Sequence, residues 1–300
     1  MNPRRFLHRW MMAWLGAVLA ASAVEAAGLT LRPARTDAFD LEISGRLALP
    51  GRTNGFLTRA DLRGLGTVRA TNAHDGALGR AVVYTGIPVR RLLEALPVDP
   101  ACDVIFTICA DGYAAHLTSG YLQAFDPLLI LELDGRSAEE WGRSVASGVG
   151  LGPYYINVPD FTPRPGEKAG GLDEGRRYPY AVTRLECTTA ALTLDRLRPP
   201  PGSGPAALEG YRLAVRDCLS CHDHEGFGGI NSNRPWLLLK TWSRNTNYFR
   251  RYVREPRKVQ PTSRMPGFSH YGGEALDVLQ AYFGSLPGPG GPATRPSSAP

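Results

Sequence analysis

The stretch from Arg196 to Ala207, RLRPPPGSGPAA, limits what this chain can fold into more than any other. Its three consecutive prolines fix φ and remove backbone donors, and the Gly-Ser-Gly after them offers almost nothing to bury. Neither part extends a helix or a sheet, so the stretch reads as a linker. The 300 residues therefore divide into two blocks, roughly 165 residues before the linker and roughly 80 after it, each large enough for its own core. The expected units are 28–194, a linker over 195–206, and 207–286. The fold class expected is α+β, a mixed sheet followed by an all-α unit.

The two ends stand apart. Arg4, Arg5 and Arg9 precede an apolar run from Trp10 to Val24, and small residues follow at Ala21, Ala23, Ala26 and Ala27. This is the layout of a secretory signal peptide, with cleavage expected after Ala26 and Ala23 as the other option. The run is shorter than the ~20 residues of a membrane span, so no stable span is expected after cleavage, and the chain is expected in the bacterial periplasm. Losing three Arg and one Glu would lower the net charge from +6 to +4. With no basic helix interleaved with aromatics, nucleic acid is not an expected partner. The tail, 287–300, is Pro, Gly and Ser with little to bury, and is expected to be disordered.

The first block mixes periodicities. Alternating or short apolar runs predict strands over 39–49, 81–84, 104–108, 128–133 and 180–186, and 58–64 and 89–96 read as short helices. The second block predicts helices over 206–217, 241–254 and 274–286, the last carrying Leu276, Leu279 and Phe283 on one stripe. Pro256 and Pro261 are expected to end the middle helix and force an extended loop.

The sharpest chemistry is Cys218-Leu219-Ser220-Cys221-His222. Two thiols at this spacing can add across the two vinyl groups of one porphyrin, and the next residue is then held under the iron, where an imidazole becomes an axial ligand. A disulfide or a zinc half-site is the competing reading, and zinc would need two further ligands that the sequence does not offer. With the leader removed, Met265 is the single methionine left. It lies in Ser263-Arg264-Met265-Pro266-Gly267-Phe268, an unusual place for core filler. A soft, neutral thioether there suits the sixth position of a haem iron. His224 and His270 are the competing imidazoles, the first expected to be an exposed loop residue. Arg250, Arg251, Arg254, Arg257 and Lys258 read as a solvated face, or as a docking patch or a clamp for haem propionates. Three further cysteines, Cys102, Cys109 and Cys187, allow one disulfide whose pairing the sequence leaves open.

From Ala206 to Leu286 the chain resembles the monohaem c-type cytochromes, on CLSCH, RMPGF and a last helix ending Gln280-Ala281-Tyr282-Phe283. That resemblance implies one covalent haem c bound through Cys218 and Cys221, with His222 and Met265 on the iron. It also implies that Gly210 on the first helix meets Tyr282 or Phe283 on the last, and that Pro235 accepts from the axial imidazole. The activity implied is electron transfer with periplasmic redox partner proteins.

From Phe39 to Thr189 the chain resembles the molybdopterin-binding domain of the sulfite oxidase family. The segments are Val82 to Leu93 with its Thr85-Gly86-Ile87-Pro88 turn, Ala110-Asp111-Gly112-Tyr113, Leu128 to Gly135, and Tyr180 to Glu186. The family's molybdenum-binding cysteine precedes the Gly-aliphatic-Pro turn, and nothing between Gly28 and Ala101 is Cys. Thr71-Asn72-Ala73-His74 occupies that region. The expectation is a fold kept as a docking or ligand-binding module with the molybdenum site lost. The alternative is a molybdopterin-dependent oxidoreductase passing substrate electrons to its own haem. His74, Asp111, Tyr113 and His116 are its candidate residues. A haem-based sensor with an open iron position is a third reading, which Met265 opposes.

Overall fold

The computed structural model describes residues 28–145, 147–159, 177–229 and 235–287. The expected leader, and the expected tail beyond Pro287, lie outside them. The chain is α+β, and its mixed sheet lies in the N-terminal half.

The first half runs β1 (Leu41–Gly45), β2 (Asn54–Leu57), α1 (Arg59–Gly64), β3 (Val68–Asn72), β4 (Val82–Pro88), α2 (Val89–Ala95), β5 (Val104–Cys109), β6 (Ala114–Thr118), α3 (Ser119–Phe125), β7 (Leu128–Leu133), β8 (Arg136–Ser137), β9 (Tyr154–Asn157) and β10 (Tyr180–Thr188). The sheet is ordered β2-β1-β10-β9-β7-β4-β3, with β5 pairing β10 and β6, and β8 pairing β7. Among the described residues of this sheet, β1 and β10 run parallel and the other pairs antiparallel.

β10 is the hub, because it bonds to β1, β5 and β9. A bulge between Val182 and Arg184, next to Ala181 at φ +55°, lets one strand serve β9 at its start and β5 along its length. An extra residue in a ladder turns the strand in this way.

Every residue of β5 is buried. Its alternate side chains face two cores: Ile105 and Cys109 join Leu117, Leu185 and Cys187, whereas Val104, Phe106 and Ile108 pack with residues of the C-terminal half. A strand covered on both faces reads as an unbroken apolar run, as 104–108 does.

The C-terminal half holds α4 (Gly204–Asp217), β11 (Asp223–His224), β12 (Phe227–Gly228), α5 (Trp236–Ser243), α6 (Thr246–Arg254), α7 (Pro256–Val259) and α8 (Gly273–Ser285). α4 crosses α8 closely. A Cβ on Gly210 would lie 1.9 Å from the Val278 carbonyl oxygen and 2.7 Å from Tyr282 Cβ, so only glycine permits this approach.

Three sequence expectations are corrected here. The helix expected over 241–254 is two helices, because the Asn245 side chain accepts from the Tyr248 amide at 3.0 Å and starts α6 afresh. Pro256 opens α7 rather than an extended loop, since proline at the first turn leaves no helical bond unmade. The half expected to be all-α also carries the β11–β12 ladder, turned by Glu225 at φ +47° and Gly226 at φ +93°.

Of the residues expected in the linker, Leu197 is buried in the C-terminal core and Gly204 already begins α4. The Tyr211 hydroxyl donates to the Leu194 carbonyl at 2.9 Å, and the Tyr282 hydroxyl to the Leu197 carbonyl at 2.7 Å. Among the described residues, no helix is long and apolar enough to cross a membrane.

Candidate functional site

The end of α4 runs straight into the two-cysteine motif. The Cys218 amide donates to the Ala214 carbonyl at 2.8 Å, the Cys221 amide to the Cys218 carbonyl at 3.1 Å, and the His222 amide to the same carbonyl at 3.0 Å. Cys218 to His222 thus form one further helical turn, which fixes the separation of the two thiols and the position of the imidazole relative to both. His222 is 5% exposed, and Cys218 and Cys221 are half-buried and in no disulfide. Burial raises the Cys218 thiol well above its ordinary value, and the neighbouring Asp217 adds to this.

The chain then doubles back beneath the turn. The Gly229 amide donates to the Leu219 carbonyl at 2.9 Å. A Cβ on Gly228, at φ +87°, would lie 2.7 Å from the His222 carbonyl oxygen, and one on Gly229 would lie 2.5 Å from the Cys221 carbonyl carbon. Two glycines are required for backbone to pass this close to the motif.

Met265 sits between α7 and α8. Its amide donates to Ser263 Oγ at 3.2 Å, and that oxygen is 3.0 Å from the Tyr252 hydroxyl. The Phe268 amide donates to the Val253 carbonyl at 3.0 Å, which ties the RMPGF loop back to α6. The Met265 side chain is half-buried and packs on the apolar cluster that also takes Cys218, Leu219 and Phe283. Cys218, Cys221 and His222 therefore share one turn, and Met265 reaches the same cluster from a separate loop.

His224 is not the exposed loop residue expected. It lies in β11 with its ring edge-on to Phe227 at 5.5 Å, and burial lowers its pKa. His270 is exposed beside Phe268 and Tyr271. Within the basic cluster Arg250 pairs with Asp277 and Lys258 with Glu255, while Arg251, Arg254 and Arg257 are exposed.

The motif is not isolated from the sheet. The Ala114 amide, at the start of β6, donates to the Ser220 carbonyl at 2.9 Å. Phe106 of β5 meets Phe227 with ring centres 6.2 Å apart. The Asp111-Gly112-Tyr113 turn that joins β5 to β6 thus lies next to the two-cysteine motif, a proximity the sequence did not reveal.

Behind this turn is a buried polar group. His116 Nε2 lies 2.8 Å from Arg177 Nη2, the Arg177 amide donates to the Tyr121 hydroxyl at 3.0 Å, and that hydroxyl donates to the Arg177 carbonyl at 3.3 Å. Burial, followed by the Arg177 charge, holds His116 well below its ordinary pKa, so the imidazole is neutral and accepts at Nε2. Its Nδ1 has no hydrogen-bond partner among the described residues. Of the other candidates, Asp111 and His74 are exposed and Tyr113 is half-buried. Among the described residues, no three of His, Cys, Asp and Glu gather in a metal-binding group.

Sequence reading missed a second polar centre. Asp75, fully buried, accepts from Tyr84, from Tyr155 at 2.7 Å and from Asn157 at 3.1 Å. Its other oxygen accepts from the Ala77 and Leu78 amides at 2.8 and 2.7 Å. Every oxygen is used in holding the loop after β3, so the centre is structural. A cleft of about 300 Å³ between Asp37, Phe39, Thr58 and Arg59 lies outside the motif's surroundings. Arg59 there is already paired with Glu139 and stacked on Phe39 at 3.8 Å.

No family model matches the chain, and no curated protein does. The chain is similar to solved structures, among them a sulfane dehydrogenase. The crystal structure of the sulfane dehydrogenase SoxCD from Paracoccus pantotrophus is 19% identical, with a TM-score of 0.33 over 49% of this chain and 37% of that one. The chain thus spans little more than a third of that relative's length.

Proposed function

We propose that the chain carries one covalent haem c and transfers single electrons in the periplasm, the sheet serving as a docking or ligand-binding module. One observation carries the reading. Cys218, Cys221 and His222 occupy a single helical turn with the imidazole buried, and Met265 packs on the same apolar cluster from another loop. The donor set fits the group. Two thiols on one helical turn suit thioether formation, and one imidazole with one thioether suits a low-spin iron. Gly228 and Gly229 leave the motif its close backing, and Gly210 lets α4 and α8 close on each other as the cytochrome resemblance implies.

When bound, haem c supplies a reversible one-electron couple. The protein's part is to hold and insulate. Cys218 and Cys221 would anchor the group, His222 and Met265 would donate to its iron, and Leu219, Phe227 and Phe283 of the same apolar cluster would help keep water out. A buried site with a neutral sulfur donor favours the reduced state, which raises the potential. The exposed Arg251, Arg254 and Arg257 offer positive charge to an acidic partner protein.

The described thiols of the N-terminal half do not suit a molybdenum ligand. Cys187 is 1% exposed in the apolar core, and Cys102 packs against that core with its Sγ donating to the Val104 carbonyl. Cys109 is 3% exposed in the apolar core, and its thiol is pushed up by burial rather than held as the thiolate a metal takes. The fold-kept, site-lost reading is therefore the one proposed.

The test is the visible spectrum of oxidised protein made with the haem-attachment machinery, compared with that of Met265→Ala. The wild type is expected to show the weak long-wavelength band of a thioether–iron bond, and the variant to lose it and drop in potential. An unchanged spectrum in the variant would place another donor on the iron.

A further inference from the structure

Three cysteines lie outside the motif, and the fold brings two of them together. Cys187 is the penultimate residue of β10, paired with Ile105 of β5, and is 1% exposed. Its carbonyl accepts from the Arg46 amide at 2.8 Å. Cys102 lies just before β5, in a turn where its own amide donates to the Asp99 carbonyl at 2.8 Å. The next residue closes on the end of β10, with the Asp103 amide donating to the Thr188 carbonyl at 3.1 Å. On the other side, the Asp99 amide donates to the Arg46 carbonyl at 3.0 Å. Arg46 and Thr188 thus hold the Cys102 turn over Cys187. Cys102 packs against the apolar cluster that holds Cys187, its Sγ donating to the Val104 carbonyl at 3.6 Å, and the two thiols are near enough to shift each other's ionisation.

Cys109 is placed differently. It ends β5 five residues before Ala114, its amide bonds to the Tyr113 carbonyl at 2.8 Å, and it lies on the side of the Asp-Gly-Tyr turn. It shares the apolar cluster of Cys102 and Cys187, but its partner on β10 is Val182, five residues before Cys187.

We infer that Cys102 and Cys187 form a disulfide, with Cys109 left as a buried thiol. The two cysteines are not equivalent. Cys102 is half-buried and reachable, whereas Cys187 is 1% exposed. Cys102 is therefore the attacking sulfur. Its thiolate displaces one thiol from an external disulfide and forms a mixed disulfide. The Cys187 sulfur then gives up its proton, attacks Cys102 Sγ and expels the second thiol. Two protein S–H bonds and one external S–S bond become one protein S–S bond and two external thiols, so electrons and protons balance. The bond fastens the entry to β5 onto the end of β10, the strand on which the whole sheet depends.

The experiment uses the full chain carrying its haem, equilibrated with oxidised glutathione, alkylated under denaturing conditions and digested for peptide mass analysis. The expected product is a Cys102 peptide linked to a Cys187 peptide, separated by reduction, with Cys109 alkylated on its own. Cys102 and Cys187 both alkylated, or a Cys102–Cys109 link, would overturn the inference. The same map reads correctly whether or not Cys218 and Cys221 carry haem. In Cys187→Ser, Cys102 is expected to stop at the glutathione mixed disulfide, and Tm to fall by about 10 °C, as for loss of a cross-link closing a long loop. A Cys187→Ser protein in which Cys102 takes up no glutathione would contradict the order of attack.

Discussion

The Ala114 amide donates to the carbonyl of Ser220, 2.9 Å away, and so joins the first residue of β6 to the residue between Leu219 and Cys221. This one backbone bond connects the sheet to the turn that presents both motif cysteines. Around it Val104, Phe106 and Ile108 share a core with Ala214, Leu219 and Phe227. Apolar burial is proportional to area and indifferent to chain position, so two stretches of sequence on either side of a proline-rich segment are held in one unit.

That shared core predicts coupled unfolding. Phe106→Ala removes a nearly fully buried ring from the boundary and is expected to cost about 3–5 kcal/mol. Urea melts followed by haem absorbance and by far-ultraviolet circular dichroism are expected to shift together. A shift in the circular dichroism alone would mean that the halves unfold independently.

The α4–α8 crossing predicts a steep penalty for one methyl group. Gly210→Ala places a Cβ 1.9 Å from the Val278 carbonyl oxygen, so the helices must separate. The expected loss is about 3 kcal/mol or more, against the small gain alanine brings to an ordinary helix. A thermal melt unchanged from wild type would show that α4 and α8 do not meet there.

His116 predicts a pH dependence. Its folded pKa is held well below the ordinary value of 6.5 by burial and by Arg177, so the folded chain binds fewer protons than the unfolded one. The stability linked to this group is complete above pH 6.5 and is lost as pH falls towards the depressed folded value. His224 is shifted in the same direction, so the comparison must be with a variant. His116→Gln is expected to flatten the fall in urea midpoint between about pH 7.5 and pH 5.5. Identical slopes in the two proteins would show that His116 is not buried as a neutral imidazole.

Legibility followed range. Leu128–Leu133 and the cores of β4, β5 and β10 were readable because alternation and apolar runs are local signals. The CLSCH motif stands out by its spacing, and its backbone forms one helical turn. The short β2, β3, β6 and β9 carry too few residues to show a period, and Asn245 divided a helix through a cap that an apolar count does not register. The Asp75 centre and the closeness of the Asp-Gly-Tyr turn to Ser220 depend on pairings between distant segments. The one hint of Asp75 was its place beside Asn72 and Gly76 in a turn-rich loop. The glycine cradle at Gly228 and Gly229 was visible only as composition, since a glycine's role is set by what passes over it.

The most direct measurement is the intact mass of denatured protein made with the haem-attachment machinery, with alkylation at Cys218 and Cys221 read by peptide mapping. One haem per chain is expected to survive acid–solvent extraction, with neither cysteine alkylated. Haem removed by extraction, or both cysteines alkylated in a chain without added haem mass, would contradict it.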